Sequence, residues 1–265
     1  MKRTYVVTGS ASGIGLATRK KLEALGHKVI GVDIHDAEVI ADLSNQAGRV
    51  SAVEKVIALS EGQVDAVIAN AGSGKSESKT VSINFFGATE LISGLHQAVS
   101  KSGAPRVVAT SSMASLMQVD KELVDLMLSG TEDKAVEKAE ALVKQGGGAE
   151  GMIYSSTKRA LSRWLRRECI KDEWAKSGIP MNAVGPGIVK TPMVAEMIAT
   201  QEGRDGLAKV VPMPLHGYLE PETVADLIIW LASEANSHVT GQTIYIDGGS
   251  DAVLRGDDLW DLSSY

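Results

Sequence analysis

A chain of 265 residues, 44% of them hydrophobic, is long enough to enclose one large core and suits a single α/β domain. The net charge of −6 provides no basic stripe to neutralise phosphates, which argues against a nucleic-acid partner. The single cysteine, Cys169, excludes an intramolecular disulfide and leaves no thiolate cluster, so no metal is expected. Met1-Lys2-Arg3 leads directly into a strand pattern, and no apolar run is long enough to span a membrane. We therefore expect a cytoplasmic protein with no membrane partner.

The first eighteen residues have the pattern of a strand, a turn and a helix. An apolar run from Tyr5 to Val7 meets a glycine-rich segment and then a helical pattern. Glycines at such a turn permit a backbone conformation closed to other residues and let an anion approach the start of the helix. An ordinary tight turn is the alternative interpretation. If the segment binds the pyrophosphate of a dinucleotide, its cofactor-binding residues are Gly9, Ser10, Ala11, Ser12, Gly13, Ile14 and Gly15.

A carboxylate follows the second predicted strand, which covers residues 28–32 and ends at Asp33. A carboxylate in this place accepts hydrogen bonds from both ribose hydroxyls and repels a 2′-phosphate, so the pattern predicts NAD rather than NADP. Ile34 comes next, and no arginine or lysine follows directly to offset the repulsion. The alternative is that Asp33 is only a solvated strand end.

Strand and helix patterns alternate along the rest of the chain, which predicts a doubly wound parallel sheet in one domain over residues 1–265. The predicted helices cover residues 14–25, 46–60, 81–100, 154–176 and 221–232. The predicted strands after residue 33 cover a short run within 38–41 and then residues 64–69, 106–110, 180–184 and 243–246.

Polar or glycine-containing clusters follow most of these strands. Because ligands of such folds bind at the carboxyl ends of the strands, we expect the clusters to line one rim. They add the candidate cofactor-binding residues Asp42, Asn70, Ala71, Gly72, Pro186 and Gly187, and the neighbouring Leu43 and Val189 are assigned to the same site.

Tyr154 and Lys158 stand four apart in a helical pattern, so both side chains lie on one face of the helix. A phenol with an ordinary pKa of about 10 is a poor base at neutral pH, and lowering that pKa to about 7 requires about 4 kcal/mol of differential stabilisation. The Lys158 charge and a cationic nicotinamide favour the phenolate, which would make Tyr154 a usable general base. Taken alone, such a pair is more often an unremarkable surface pair; the surrounding motifs favour the catalytic interpretation.

Together these motifs resemble the short-chain dehydrogenase/reductase family over nearly the whole chain, and the resemblance implies a Rossmann-type fold and a nicotinamide cofactor. The matching elements are Thr8-Gly9-x-x-x-Gly13-Ile14-Gly15, Asp42-Leu43, Asn70-Ala71-Gly72, Asn84, Ser112, Tyr154-x-x-x-Lys158, Pro186-Gly187, Thr191 and Ile246-Asp247-Gly248-Gly249.

The resemblance also implies roles for individual residues. Tyr154 is expected to be the acid/base and Ser112 to hydrogen-bond the substrate oxygen, with Ser111 as the rival for the serine role. Lys158 is expected to hold the nicotinamide ribose and to lower the Tyr154 pKa. Asn84 is expected to support a water relay, and Thr191 to bind the carboxamide. The proposed catalytic residues are thus Asn84, Ser112, Tyr154 and Lys158.

Two departures from the common family pattern narrow the resemblance. The stretch from Ser112 to Tyr154 is unusually long, and the stretch from Gly72 to Asn84 is unusually short. Both features resemble the bacterial 3α-hydroxysteroid dehydrogenase/carbonyl reductase branch. The insertion, at about residues 116–150, reads as one or two amphipathic helices with a glycine-rich exit.

The insertion bears on assembly. The resemblance implies that inserted helices beside Tyr154 cover a face that other family members use for dimerisation. We therefore expect a homodimer formed through residues 221–232 and the last strand. The alternative is a solvated appendage without effect on assembly.

The substrate is the least determined part of the prediction. Methionines lie close to the proposed catalytic residues and within a predicted lid at about residues 191–215. Methionine side chains suit an adaptable apolar pocket. The predicted substrate-pocket residues are Ser112, Met113, Met152, Tyr154, Met193 and Met197. A hydrophobic cyclic secondary alcohol or ketone, like a 3α-hydroxysteroid, is the expected substrate. A smaller alicyclic alcohol such as a monoterpenol, and a dinucleotide sensor without catalysis, are the alternatives.

Overall fold

The computed structural model describes residues 2–259 and contains one parallel sheet of seven strands, which confirms the predicted fold class. The strands are β1 (Thr4–Thr8), β2 (Lys28–Asp33), β3 (Val39–Ile40), β4 (Ala66–Ala69), β5 (Arg106–Thr110), β6 (Met181–Pro186) and β7 (Thr243–Ile246). Their spatial order is β3-β2-β1-β4-β5-β6-β7. The chain order reverses direction between β1 and β4, and this is the place where doubly wound sheets open a binding crevice.

Helices cover both faces of the sheet. They are α1 (Gly13–Ala24), α2 (Gln46–Leu59), α3 (Lys79–Val81), α4 (Gly87–Gly94), α5 (His96–Val99), α6 (Lys121–Leu128), α7 (Glu132–Gln145), α8 (Met152–Glu168), α9 (Asp172–Ala175), α10 (Ala195–Ala199), α11 (Gln201–Val210), α12 (Pro221–Ala232) and α13 (Ser250–Arg255). Short 3-10 turns cover Met113–Leu116, Ala149–Gly151 and Pro192–Val194.

The central strands are buried along their whole length because helices pack on both sides of them. Helices α1 and α12 pack together over one face, where the core includes Tyr5, Leu22 and Ile228. Helices α2, α4 and α8 cover the other face, with Phe85 and Leu161 in the core. This continuous apolar character is what made the strands predictable.

Two predicted helices differ from the structure. The helix predicted over residues 81–100 is broken into α3, a π-helical turn at Ser82–Phe86, α4 and α5. The helix predicted over residues 154–176 ends at Glu168, and α9 begins after the extended residue Lys171. Residue-by-residue periodicity does not reveal such interruptions, because the same apolar face continues across them.

The sequence predicts one or two helices in the insertion, and the structure contains two, α6 and α7. Helix α6 packs on α8, and α7 packs on α3 and on the π-helical turn. The apolar residues of the insertion are buried there: Leu123, Val124, Met127, Ala135, Ala139 and Leu142. The insertion is therefore part of the hydrophobic core rather than a solvated appendage.

Arg49 fixes the insertion to the sheet-covering helices. Its side chain is only 2% exposed, and its Nε lies 2.7 Å from an Oε atom of Glu90. Its two Nη atoms donate to the carboxylate of Glu132 at the start of α7. A buried guanidinium needs such partners, and here they come from α4 and from the insertion.

Within residues 2–259, no helix is long and apolar enough to cross a membrane. In the same part of the chain, no three His, Cys, Asp or Glu side chains are grouped in a way that would hold a metal ion.

Candidate active site

The glycine-rich segment turns from β1 into α1 as predicted. Gly9 has φ +66°, a conformation that L side chains rarely adopt, and its N–H donates to the Val32 carbonyl at 2.9 Å. A Cβ on Gly15 would lie 2.0 Å from the Gly9 oxygen, so this position accepts only glycine. Ser12 precedes α1 but its side chain does not cap the helix. The first N–H groups of α1 consequently face the crevice without a side-chain acceptor.

Asp33 lies at the end of β2 and turns toward this segment. One carboxylate oxygen accepts from the N–H of Ala11 at 2.9 Å, and the other accepts from the N–H of Ile34 at 2.7 Å. The carboxylate is thus held beside the glycine-rich turn, where the sequence places the ribose acceptor.

Residues after β4 close the other side of the crevice. The Thr8 hydroxyl accepts from the N–H groups of Asn70 and Ala71 at 2.9 and 2.8 Å. The Thr110 hydroxyl donates to the Asn70 side chain at 2.9 Å. These bonds join the ends of β1, β4 and β5 into one rim.

The rim encloses a cavity of 680 Å³ between the glycine-rich segment and residues 191–197 of the predicted lid. A cavity of this size, bordered by glycines and by uncapped N–H groups, fits a dinucleotide. The predicted cofactor-binding residues that line it are Gly9, Ser12, Gly13, Ile14, Ile34, Asn70, Ala71, Gly72 and Thr191. Pro186, Gly187, Val189 and Thr191 line the neighbouring cavity described below.

Asp42 and Leu43 do not reach this cavity in the way the sequence suggests. Asp42 accepts from the N–H of Ser44 at 2.9 Å and pairs with Lys79. Leu43 is 6% exposed and its side chain packs in the core, so the predicted contact of Leu43 with the cofactor would have to be made by its backbone. The prediction treated the two residues as one motif, whereas consecutive residues point in different directions.

Ser111 and Ser112 follow directly after β5, and their side chains have different partners. The Ser111 hydroxyl is buried, donates to the Lys158 carbonyl and pairs with Ser162 at 2.8 Å. The Ser112 hydroxyl accepts from the N–H of Ala114 at 3.1 Å and is partly exposed to the cavity. Since Ser111 is engaged with α8, Ser112 is the serine free to bind a ligand.

Tyr154 and Lys158 occupy the first two turns of α8, which faces β5. The Lys158 ammonium donates to the Thr110 carbonyl at 2.8 Å and lies 5.7 Å from the centre of the Tyr154 ring. The Tyr154 hydroxyl shares a hydrogen bond with Ser112. The structure therefore brings the predicted serine, tyrosine and lysine together at one end of the sheet.

The expected lowering of the Tyr154 pKa is not found in the protein alone. Burial raises the pKa of the Tyr154 phenol above its ordinary value, and the hydrogen bond with Ser112 lowers it by less. Burial also lowers the pKa of Lys158 to about 8, so its ammonium remains mostly charged at neutral pH. That ammonium is directed at the Thr110 carbonyl. The expected lowering of the Tyr154 pKa also required a bound cationic nicotinamide, so it stays a prediction for the enzyme with its cofactor.

Asn84 lies in the π-helical turn and is buried beside α8. Its Oδ1 accepts from the N–H of Ser73 at 2.7 Å, and its Nδ2 donates to the Ser73 carbonyl and to the Thr157 hydroxyl, at 2.9 and 3.1 Å. The Asn84 side chain thus links the loop after β4 to α8. Such π-helical turns are frequent at functional sites.

A second cavity, of 230 Å³, opens beside Tyr154 and meets the first at Gly74, Thr191 and Met193. Ser112, Met113, Tyr154, Met193 and Met197 line it as predicted, and none of the described residues that line it is charged. The prediction for Met152 was wrong. Its side chain packs against the hydrophobic core, because it lies on the side of α8 turned away from the cavity.

Several residues of this cavity were not predicted from the sequence. They are Gly74, Ala114, Ile188, Val194, Leu207 and Val211. Ile188 directly follows Gly187, and Val194, Leu207 and Val211 lie within the predicted lid. Their apolar character was the signal from which they could have been predicted. Gly74 had no signal, and a Cβ on it would lie 3.0 Å from the Met193 side chain.

Comparison with known proteins identifies the arrangement. A family model described as enoyl-(acyl carrier protein) reductase matches residues 9–251. The 3α-hydroxysteroid dehydrogenase/carbonyl reductase of Comamonas testosteroni is 40% identical over 255 residues, which cover 94% of this chain and 97% of that protein. The chain belongs to the short-chain dehydrogenase/reductase family.

Other members of the short-chain dehydrogenase/reductase family are similar at greater distance. The crystal structure of the 3α-hydroxysteroid dehydrogenase of Pseudomonas sp. B-0831, complexed with NADH, matches with a TM-score of 0.86 and 34% identity, covering 96% of this chain and 99% of that one. A tropinone reductase homologue of Arabidopsis thaliana is 27% identical, covering 93% of this chain and 90% of that protein. These comparisons confirm the predicted family and the resemblance to its hydroxysteroid dehydrogenase branch. The chain is therefore an oxidoreductase of this family.

Proposed function

We propose that the protein is an NAD-dependent oxidoreductase that interconverts a hydrophobic cyclic secondary alcohol, of the 3α-hydroxysteroid kind, and the corresponding ketone. The observation that carries the proposal is the placement of the Ser112 and Tyr154 hydroxyls in a mostly apolar cavity that adjoins the glycine-bordered one; Ser111, which also lines it, is bonded to α8, and Thr191 lies where the two cavities meet. Two convergent polar groups in an apolar pocket orient a substrate that has a single polar group at its reacting end.

The residues of the chain would divide the proton chemistry among them. In oxidation the Tyr154 phenolate takes the proton of the substrate hydroxyl, and in reduction the Tyr154 phenol returns it. Ser112 donates a hydrogen bond to the substrate oxygen. A bound nicotinamide dinucleotide supplies the hydride acceptor for oxidation or the hydride donor for reduction.

Lys158, Asn84 and Thr191 would support this chemistry. The buried Lys158 ammonium is the one cation next to Tyr154 among residues 2–259, and it is the group proposed to hold the ribose. Asn84 holds the loop after β4 against α8 and is proposed to support a proton relay to solvent. Thr191 borders both cavities and is proposed to bind the carboxamide of the cofactor.

The preference for NAD rests on Asp33. Its carboxylate is fixed by two backbone N–H groups at the end of β2, so it does not move aside easily for a 2′-phosphate. The NADH complex of the Pseudomonas relative agrees with this assignment.

A smaller alicyclic alcohol such as a monoterpenol is a second candidate substrate. The volume of 230 Å³ favours it, because pockets for drug-sized ligands usually measure about 300–1,000 Å³. Two lid methionines at the mouth, Met193 and Met197, are 48% and 45% exposed, so an outward movement of the lid would enlarge the pocket for a steroid.

Turnover with a panel of alcohols tests the proposal. We expect NADH formation at 340 nm with 3α-hydroxysteroids and NAD⁺ at mildly alkaline pH, where more of the Tyr154 phenol is ionised. Simple cyclic alcohols and monoterpenols are run beside the steroids, and NADP⁺ beside NAD⁺. Turnover of monoterpenols alone favours the smaller substrate, and a preference for NADP⁺ contradicts the role given to Asp33. NADH binding without turnover of any alcohol favours a dinucleotide sensor.

A homodimer through α12 and β7 is proposed for the assembly. Strand β7 lies at the edge of the sheet, and Trp230 on α12 is 44% exposed. Helices α6 and α7 cover the opposite surface around α8 and the π-helical turn, which removes that surface from use. An exposed aromatic residue and an open strand edge are each typical of an interface.

Changing Trp230 to lysine is expected to convert the dimer into a monomer, because an ammonium group at the centre of an apolar interface would be desolvated. Light scattering after size-exclusion chromatography measures the mass. Val50→Lys is the matched control: Val50 is 51% exposed on α2, which packs beside β2 and β3 at the other end of the sheet, and its variant should remain dimeric. A monomeric wild-type protein, or equal dissociation by both variants, contradicts the proposed interface.

A further inference from the structure

We propose that Glu38 and Arg19 form a second determinant of cofactor choice beside Asp33. In this arrangement Glu38 holds the Arg19 guanidinium so that it does not serve as a ligand for the 2′-phosphate of NADP. The inference rests on the proposed preference for NAD and identifies further residues that produce it.

Arg19 reaches the strand that ends in Asp33. Gly31 and Asp33 are two apart in β2, so their side-chain positions share one face of the sheet. A Cβ on Gly31 would lie 2.5 Å from the Ser10 hydroxyl, and 2.9 Å from both Arg19 Nη1 and Glu38 Oε2. The guanidinium, the Glu38 carboxylate and the Ser10 hydroxyl therefore share the space left by the missing side chain of Gly31. The guanidinium lies one side-chain position away from Asp33, the proposed ribose acceptor.

Glu38 is fixed by the backbone of β2. Its Oε2 accepts from the N–H of Gly31 at 2.8 Å. Strand β3 is only two residues long and pairs with β2 at Val32 and Asp33, so the Glu38 carboxylate takes the place of a strand partner for Gly31. The carboxylate is consequently an anchored counter-ion rather than a mobile surface charge.

Arg19 is engaged by two carboxylates at once. Its Nη2 donates to Glu38 Oε1 at 2.6 Å, and its Nε donates to Glu23 Oε1 at 2.9 Å. Arginine is the side chain best suited to bind a phosphate through paired N–H groups. Here two of its donor nitrogens are already used, and the surrounding carboxylates outnumber the one guanidinium.

These contacts leave a net negative charge at this end of the cavity. Asp33, Glu23 and Glu38 together carry three negative charges against the single positive charge of Arg19. A 2′-phosphate meets both the repulsion of Asp33 and a cation that is already neutralised. Removing the Glu38 charge would release Arg19 as a phosphate ligand without altering Asp33.

The test compares the binding of NADH and NADPH, measured by nucleotide fluorescence, in the wild-type protein and in Glu38→Gln. Glutamine keeps an oxygen acceptor for the N–H of Gly31, so the edge of β2 is preserved. We expect the Kd for NADPH to fall by about tenfold and the Kd for NADH to change by less than about twofold. Retained NADH affinity also shows that the variant is folded.

Two further variants separate the proposed effect from a general change in charge. Arg19→Met combined with Glu38→Gln should lose the gain in NADPH affinity, because the gain requires the released guanidinium. Glu140→Gln, which removes an exposed carboxylate from α7 in the insertion, should change neither Kd. An unchanged ratio of the two Kd values in Glu38→Gln, or a gain that persists without Arg19, overturns the inference.

The wild-type protein separates this inference from the proposed function. Tighter binding of NADPH than of NADH by the wild type contradicts the proposed NAD preference itself. A wild type that prefers NADH, together with an unchanged ratio in Glu38→Gln, overturns only the role of Glu38 and Arg19.

Discussion

Replacing Tyr154 with phenylalanine is expected to lower kcat/KM by roughly 10²–10⁴-fold, the range typical of a lost general acid/base. The phenol is the only ionisable group among the described residues that line the apolar cavity, so no neighbour is placed to move the proton in its stead. The affinity for NADH should remain, because the glycine-rich turn and Asp33 are untouched. Initial rates of NADH formation and fluorescence titration with NADH measure the two effects.

Tyr245→Phe is the matched control for this prediction. Burial raises the pKa of Tyr245 as it does that of Tyr154, and the Tyr245 hydroxyl bonds to Ser115 at 2.9 Å. Tyr245 packs behind the cavity without lining it, so its variant should keep most of its activity. Near-normal turnover by Tyr154→Phe would remove Tyr154 from the mechanism. An equal loss in both variants would point to a structural effect.

Replacing Lys158 with methionine is expected to stabilise the fold while lowering kcat/KM by at least roughly 10²-fold. Lys158 is 4% exposed, and burial lowers its pKa from 10.5 to about 8. A buried ammonium destabilises the folded state at neutral pH, whereas a methionine of similar length does not. The activity falls because the proposed ribose ligand and the cation beside Tyr154 are lost.

The stability effect depends on pH with a definite sign. The folded protein releases the Lys158 proton near pH 8 and the unfolded chain near pH 10.5, so the penalty is fully present below pH 8. It declines as the pH rises through that window, and wild-type stability gains relative to the variant by up to about 3 kcal/mol. Urea denaturation of both proteins at pH 7 and pH 10 measures the difference.

Lys176→Met provides the control for that series. Lys176 forms an exposed ion pair with Asp172 at 2.6 Å, so its removal should change the free energy of unfolding by less than about 1 kcal/mol at either pH. A Lys158→Met variant whose stability relative to wild type is the same at pH 7 and pH 10 would contradict the displaced pKa of Lys158.

The order of strands and helices could be predicted because the strands are buried on both faces. A strand such as β4, fully buried from Ala66 to Ala69, leaves a continuous apolar run in the sequence. The interruption at Ser82–Phe86 could not be predicted, because a π-helical turn leaves the apolar face in place. Only the backbone of the structure shows that this turn contains Asn84.

The candidate site was predictable where a motif fixes geometry over a few residues. Gly9 and Gly15 illustrate this, since one requires a positive φ and the other has no room for a Cβ. Tyr154 and Lys158 share a helix face by spacing alone. What each side chain bonds to was not predictable. The partner of Lys158 is a carbonyl of β5, a contact between residues 48 positions apart.

Desolvation was also beyond the reach of the sequence. The expected decrease in the Tyr154 pKa requires the charge of a bound nicotinamide, and in the protein alone the effect of burial is larger than that of the hydrogen bond with Ser112. The error for Met152 has another origin. Proximity to Tyr154 in the chain suggested the pocket, but the side chain belongs to the core on another side of α8.

The lid has a consequence for how this enzyme can change. Neither α10 nor α11 contains a buried residue, although Met197 of α10 and Leu207 of α11 border the apolar cavity beside Tyr154. Substitutions in these helices consequently alter the shape of the pocket with little effect on the core. New substrate ranges are therefore accessible through single changes that leave folding intact. A library confined to residues 192–210 is the natural starting point for directed evolution.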